Sequence, residues 1–222
     1  MRKSRDHEAY IQNGVGGDYF SVSNYNLFMQ CDAPQKTAFR ELPQGFSFRL
    51  CRRDELEAWK HIVAEEQYVD YVTEYFNKVY AKHADEFFRR CMFVCDTGDK
   101  PIASTFIWRS YEKVNTVGWF RVLPEFEGHG IGRALLSIIL GDADFPIYLH
   151  THPTAARAIK LYSDFGFMLL TDPVVGYRKN DLTESLPYLQ KVLPEIDYTK
   201  LRFAEANKAL LEAAISSEIS EF

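Results

Sequence analysis

Residues 122–136 read V-L-P-E-F-E-G-H-G-I-G-R-A-L-L. A β-type apolar run meets a proline, and three glycines at alternating positions, Gly128, Gly130 and Gly132, open directly into an amphipathic helix. Without Cβ atoms the loop curls tightly and lets a ligand approach its backbone. The first N–H groups of the helix lack intrahelical acceptors and lie at the positive end of its dipole, so the run reads as a cradle for an anion such as a pyrophosphate. A bare strand-to-helix turn is the plainer alternative, but three glycines with a strong helix start favour the cradle. A nucleoside-triphosphate loop is excluded because no Lys with a hydroxyl neighbour follows. A dinucleotide fingerprint is excluded because Arg133 stands where its last glycine belongs.

Working outward, the residues before the loop read as an antiparallel meander. Strands at 91–94, 102–108 and 114–122 are joined through Asp96-Thr97-Gly98-Asp99 and the polar break at Tyr111–Lys113. Upstream, Phe46, Phe48 and Leu50 alternate as a strand, and Asp54 is placed to cap a helix carrying Leu56, Trp59, His61 and Ile62. A second helix is predicted from the aromatic stripe Tyr68, Val72, Tyr75, Phe76, Val79, Tyr80 and His83, which reads as core with an end free to line a pocket. After the glycine-loop helix, closed at Gly141, come a strand at 147–151 and a helix from about Thr154 to Gly166. Strands at 167–170 and 174–178 follow, then a helical extension carrying Leu201, Ala204, Leu211, Ala214 and Ile215. That extension packs on its own domain or on a second copy, as in a homodimer. Residues 1–44 read as an arm: polar, glycine-bearing and poorly ordered at the start, then apolar without period from Asn26 to Arg40.

This order gives a mixed α/β (α+β) plan, a mainly antiparallel central sheet flanked by helices. The expected divisions are an N-terminal arm (1–44), a central domain (45–180) and a C-terminal helical extension (181–222). The length of 222 residues suits one domain with a sizeable core. Lys and Arg number 26 against 31 Asp and Glu, so no global basic field would hold nucleic acid or an anionic membrane. The four cysteines, Cys31, Cys51, Cys91 and Cys95, lack zinc-ligand spacing, and no metal is expected. With no apolar leader and no membrane-length run, a cytoplasmic location is the expectation.

Two motifs in order, the opening run and A-A-R-A-I-K-L-Y-S-D-F-G-F at 155–167, make the chain resemble the GNAT family of acyl-CoA-dependent N-acetyltransferases over roughly residues 45–179. The resemblance implies acetyl-CoA as co-substrate. The backbone N–H groups of Gly128, His129, Gly130, Ile131, Gly132 and Arg133 would bind its pyrophosphate. The strand end at Phe120, Arg121 and Val122 would pair with the pantetheine arm, a mode that suits an exposed strand edge. Tyr162 matches the position where the family often uses a phenol to reprotonate the departing thiolate. His150, on the strand between the motifs, stands where some members carry a glutamate base; it shares a face with Tyr148 and His152 if the strand persists. A hydrogen-bonded structural His150 is the competing reading, and Glu112 or an acid on the first helices could serve as base instead.

Two positions depart from the family. Glu127 replaces the usual Gln or Arg, and its charge repels pyrophosphate unless it points away or pairs with Arg121 or Arg133. Ala155 replaces an Asn. The function implied is acetyl transfer from acetyl-CoA to a primary amine, on a small molecule or a peptide, by direct attack in a ternary complex. No cysteine has a base partner to suggest a covalent acyl-enzyme. The alternative is a catalytically silent acyl-CoA-binding or interaction module with the same fold.

Overall fold

The computed structural model describes Val22 and residues 24–222, so the glycine-bearing stretch 1–20 lies outside the described residues. An eight-stranded sheet runs through the chain in the order β10-β7-β1-β6-β5-β4-β3-β2. The meander forms as its strand runs and turn segments predict: β2 (Ser47–Leu50), β3 (Met92–Cys95), β4 (Pro101–Ser110) and β5 (Val114–Val122) pair antiparallel in succession. β6 (Ile147–Thr151) then joins β5 in parallel. The mixed, mainly antiparallel plan with flanking helices is the one observed.

The stretch 26–40 is not a wrapping arm. Leu27–Cys31 forms β1, which sits deep in the sheet between β6 and β7 (Met168–Leu170). Every residue of β1 is buried, Leu27, Met29 and Cys31 against one layer and Phe28 against the other. A strand covered on both faces shows no alternation, which explains why its sequence carries no period.

Helices cover both faces. On one side lie α1 (Leu56–Val63), α2 (Val69–Tyr75) and α3 (Ala84–Arg90), closing an aromatic core around Trp59, Tyr80, Phe87 and Phe106. The predicted single second helix is broken: a wide π-turn at Phe76–Tyr80 and a tight turn at Ala81–His83 separate α2 from α3. Asp54 does not cap α1. A tight turn at Arg53–Glu55 precedes it, and there the Glu55 carboxylate accepts the Arg52 N–H at 2.9 Å and pairs with Arg49. The opposite face carries α4 (Ile131–Gly141), α5 (Ala156–Asp164) and α6 (Leu182–Val192), whose apolar sides pack on β1 and β6.

After α6 the chain makes a short helix, α7 (Glu195–Tyr198), and a two-residue strand, β10 (Phe203–Ala204), parallel to β7. It ends in α8 (Lys208–Ala214), which lays Leu210, Ala213 and Ala214 on Phe28 and Tyr148 of its own sheet. The strand expected at 174–178 is instead a small hairpin, β8 (Val174–Val175) and β9 (Arg178–Lys179), turning at Gly176 with φ +64.

Candidate active site

β5 and β6 are paired only at Asn115↔Ile147 and Thr116↔Tyr148. Beyond that point they diverge, and β5 from Val117 to Val122 has its β4 neighbour on one side and an open edge on the other. The Leu123 N–H donates to Ile102 O at 2.9 Å on the β4 side. Alternation along the strand therefore turns the peptide groups of Val122 and Phe120 towards the open edge. Between Ser104 and Phe106 the register slips by one residue, and Trp119 takes a left-handed φ of +49 at that bulge. The Trp119 indole N–H donates to the Tyr80 hydroxyl at 3.0 Å, fixing the bulge to the π-turn of the aromatic core.

The glycine loop follows at the end of this edge. Gly128 and Gly130 hold φ of +81 and +82, where a Cβ would be strained. Gly130 occupies the N-cap of α4 with no side chain to satisfy the first N–H groups, which stay available to a ligand. At Gly132 an added Cβ would lie 3.1 Å from Phe120, so this glycine lets α4 press against β5 and aligns loop with edge. The Arg133 side chain is committed elsewhere: it pairs with Asp164 of α5. Burial acts to raise the Asp164 pKa, but Lys160 and Arg133 outweigh it and hold the carboxyl below its ordinary value. Only the backbone N–H of Arg133 is offered to the cradle.

Glu127 is neutralised, though not by either expected partner. Arg157 of α5 reaches it at 2.9 Å, and the Arg157 guanidinium lies 4.0 Å from the Cβ position of Gly128. The second motif thus delivers a cation to the first. The donor set of free N–H groups, open strand edge and compensated acid fits a pyrophosphate-bearing pantetheine ligand.

A cavity of about 800 Å³ opens between the splayed strands, and Phe120, Arg121, His150 and Tyr162 all line it. Tyr162 is buried against Phe120 and Phe167 at ring distances of 5.7 Å each, and burial pushes its phenol pKa well up, keeping the proton on. His150 places Nε2 2.9 Å from Asn26 Oδ1. That oxygen only accepts, so Nε2 carries the hydrogen and Nδ1 is the basic nitrogen. His152 stacks edge-on to His150 at 4.8 Å, with Nδ1 donating to the Tyr25 carbonyl at 2.8 Å. Burial first, and then the Arg178 charge, lower the His152 pKa from 6.5; the Tyr25 bond opposes them. Glu112 stands elsewhere, close to Lys82 and His83.

The sequence reading passed over Arg157, Arg178, Trp119 and the segment 217–222, of which all but Arg157 line the cavity. Arg157 was visible in the quoted motif as the charge complement of Glu127. The others carry no local signal.

The GNAT acetyltransferase family model matches residues 54–167, and the chain belongs to that family. No curated protein matches the chain at a significant level. Similar solved structures include an acetyltransferase of the GNAT family from Colwellia psychrerythraea, 16% identical, covering 65% of this chain and 52% of that one, with a TM-score of 0.46. A GCN5-related N-acetyltransferase from Sphaerobacter thermophilus is 14% identical over 57% of this chain and 42% of that one, with a TM-score of 0.44. A Drosophila protein is 15% identical over 65% and 47%, with a TM-score of 0.45. The chain thus spans about half the length of these structures. Among the described residues no helix is long and apolar enough to cross a membrane.

Proposed function

We propose that the protein transfers an acetyl group from acetyl-CoA to a primary amine, by direct attack of the amine in a ternary complex. The observation that carries this reading is the open edge of β5, which runs from the glycine cradle into a cavity lined by Tyr162 and His150. Acetyl-CoA supplies the acyl group as a thioester. The N–H groups of Gly128 to Arg133 hold its pyrophosphate, and Phe120 to Val122 pair with its pantetheine arm. Outward-turned N–H groups at the strand end stabilise the charge that builds on the thioester oxygen.

An amine is protonated at neutral pH and must lose a proton before it attacks. His150 takes that proton on Nδ1, directly or through water, and Asn26 holds the ring in the required tautomer. The new C–N bond forms as the C–S bond breaks, Tyr162 gives its hydroxyl proton to the departing sulfur, and the proton shed by the newly acylated nitrogen restores the phenol through water. Burial keeps this phenol protonated through the neutral range and also makes it a weaker acid than a free tyrosine, so its proton moves only as charge builds on the departing sulfur.

Three measurements test the reading. Coenzyme A must raise the unfolding temperature, since a ligand that binds only the native state stabilises it. Tyr162→Phe should lower kcat by roughly 100- to 10,000-fold, the scale of one general acid, without changing coenzyme A affinity, as followed by thiol release over an amine panel. His150→Ala should lower kcat while leaving coenzyme A affinity unchanged. Absence of a coenzyme A shift overturns the reading, while binding without turnover of any amine returns the silent-module alternative.

A further inference from the structure

The His150 ring is boxed by neighbours on one face of the sheet. β1 and β6 pair with Phe28 opposite His150, and the alternation of side chains puts Asn26, just before β1, on the same face. The Phe28 ring lies 5.1 Å from the imidazole and the His152 ring 4.8 Å, while Asn26 reaches it diagonally to bring Oδ1 2.9 Å from Nε2. Ring contacts limit where the imidazole sits. Which nitrogen carries the hydrogen is set by the hydrogen bond, and so by where the Asn26 amide is held.

Asn26 is gripped by a residue 155 positions away. Its N–H donates to Asp181 Oδ2 at 2.9 Å, and its carbonyl accepts the Asp181 N–H at 2.8 Å. Both backbone polar groups of Asn26 are therefore tied to one partner, which fixes the base of a short side chain with two torsions. The other carboxylate oxygen of Asp181 pairs with Lys179 at 2.7 Å.

The place of Asp181 makes this grip informative. It stands at the N-cap of α6, where an Asp side chain ordinarily accepts an N–H from the first turn of its own helix, yet its carboxylate makes no such bond among the described residues. The helix start is served instead by the Asp181 carbonyl, which accepts the Ser185 N–H at 2.9 Å and the Ser185 hydroxyl at 2.6 Å. The carboxylate, only 10% accessible, is diverted from its helix to the residue that orients His150. Asn26 and Asp181 both lie outside the residues 54–167 matched by the family model, one on each side.

We infer that Asp181 is a positioning residue for the transfer reaction: by gripping Asn26 it holds that amide where it selects the Nε2–H form of His150, leaving Nδ1 to take the proton of the amine. The inference rests on the acetyltransferase reading above, with His150 as base, and deepens it. Asp181 itself touches neither substrate nor the moving proton.

The test reads the His150 ring directly, by nitrogen-15 correlation spectra at pH 8 with the signal assigned by its loss in His150→Ala. Wild-type His150 should show a protonated Nε2 and a bare Nδ1. Asp181→Ala should move that pattern towards a mixture of both forms and lower kcat roughly tenfold, with the amine KM unchanged, since the loss is one of orientation rather than of binding. Asp181→Gly, a substitution that an N-cap tolerates well, should do the same. Asp181→Asn keeps an oxygen for the Asn26 N–H while removing the charge paired with Lys179, and should restore the pattern and bring kcat to within about twofold of wild type. A ring pattern or a kcat that stays at its wild-type value in Asp181→Ala and Asp181→Gly overturns the inference. So does an Nδ1–H form in the wild-type protein, an Asp181→Asn variant as impaired as Asp181→Ala, or loss of cooperative unfolding in both the Ala and Gly variants, which would make Asp181 a folding residue alone. A wild-type protein that acetylates no amine would instead strike the reading beneath, while the ring pattern would still report whether Asp181 sets the His150 tautomer.

Discussion

The two ends of the cleft are built on different principles. The end proposed for the cofactor is made of backbone: a strand edge, a loop in which Gly128 and Gly130 hold positive φ, and the start of α4, all within residues 117–133. The rest of the cavity, where the acceptor is proposed to enter, is lined by side chains brought from α2, β5, β9 and the segment 217–222, with Glu221 and its partner Tyr111 standing 110 positions apart. Backbone chemistry is the same for every residue type, so such a site is written as places where side chains must be absent. Side-chain chemistry has no such grammar, and its pieces can come from any part of the chain.

The contrast is broken most severely at Gly130. A β-branched residue at φ +82 is strained by roughly 1–2 kcal/mol, and relief of that strain re-aims the first N–H groups of α4. Gly130→Val should weaken coenzyme A binding at least about 100-fold in calorimetry while the protein remains folded, an effect of ~2.7 kcal/mol. A retained affinity would mean that side chains, not backbone, hold the cofactor. On the acceptor side, Tyr75→Phe should leave coenzyme A affinity unchanged and alter only the amine KM.

How much was legible follows the same division. The glycine run, the helix stripe that carries Tyr162 and the alternation of β2 are local patterns, and each forms where the spacing predicts. β1 escaped because burial on both faces erased its period. The π-turn at Phe76–Tyr80 escaped because the aromatic spacing of three and four continues through it; the Trp119–Tyr80 bond that it presents to the bulge is a tertiary fact. Glu127 looked like a defect because its compensating charge was sought at Arg121 and Arg133, within six positions, and the fold supplies it from 30 positions away.

Between the two ends lie the paired histidines, and here the expected effect is moderate. His152 has a folded pKa below 6.5, so between that folded value and 6.5 the unfolded chain binds more protons than the native one. Stability is therefore full above pH 6.5 and falls as the pH drops below it, levelling off once the folded pKa is passed. The unfolding temperature measured from pH 8 to pH 5 should show this decline, and His152→Gln should flatten it. A profile that His152→Gln leaves unaltered would place the acid sensitivity in other groups and remove the argument that His152 is kept neutral beside the site.

The smallest effect is expected where the two motifs meet. Arg157 and Glu127 are exposed, with side chains 77% and 46% accessible, so their pairing contributes under about 1 kcal/mol to folding. Arg157→Ala should leave the unfolding temperature nearly unchanged. Its consequence lies in binding, because Glu127 then presents an uncompensated negative charge beside the loop that receives pyrophosphate. Coenzyme A affinity should fall by about threefold at 0.15 M salt, and more at low ionic strength, where charges at the surface are less screened. Adding Glu127→Gln to Arg157→Ala should recover most of that loss, since it removes the repulsion that Arg157 had masked. Failure of the double variant to recover would show that Arg157 contacts the phosphates itself. The cofactor end would then depend on a side chain after all, and the contrast with the acceptor end would be one of degree.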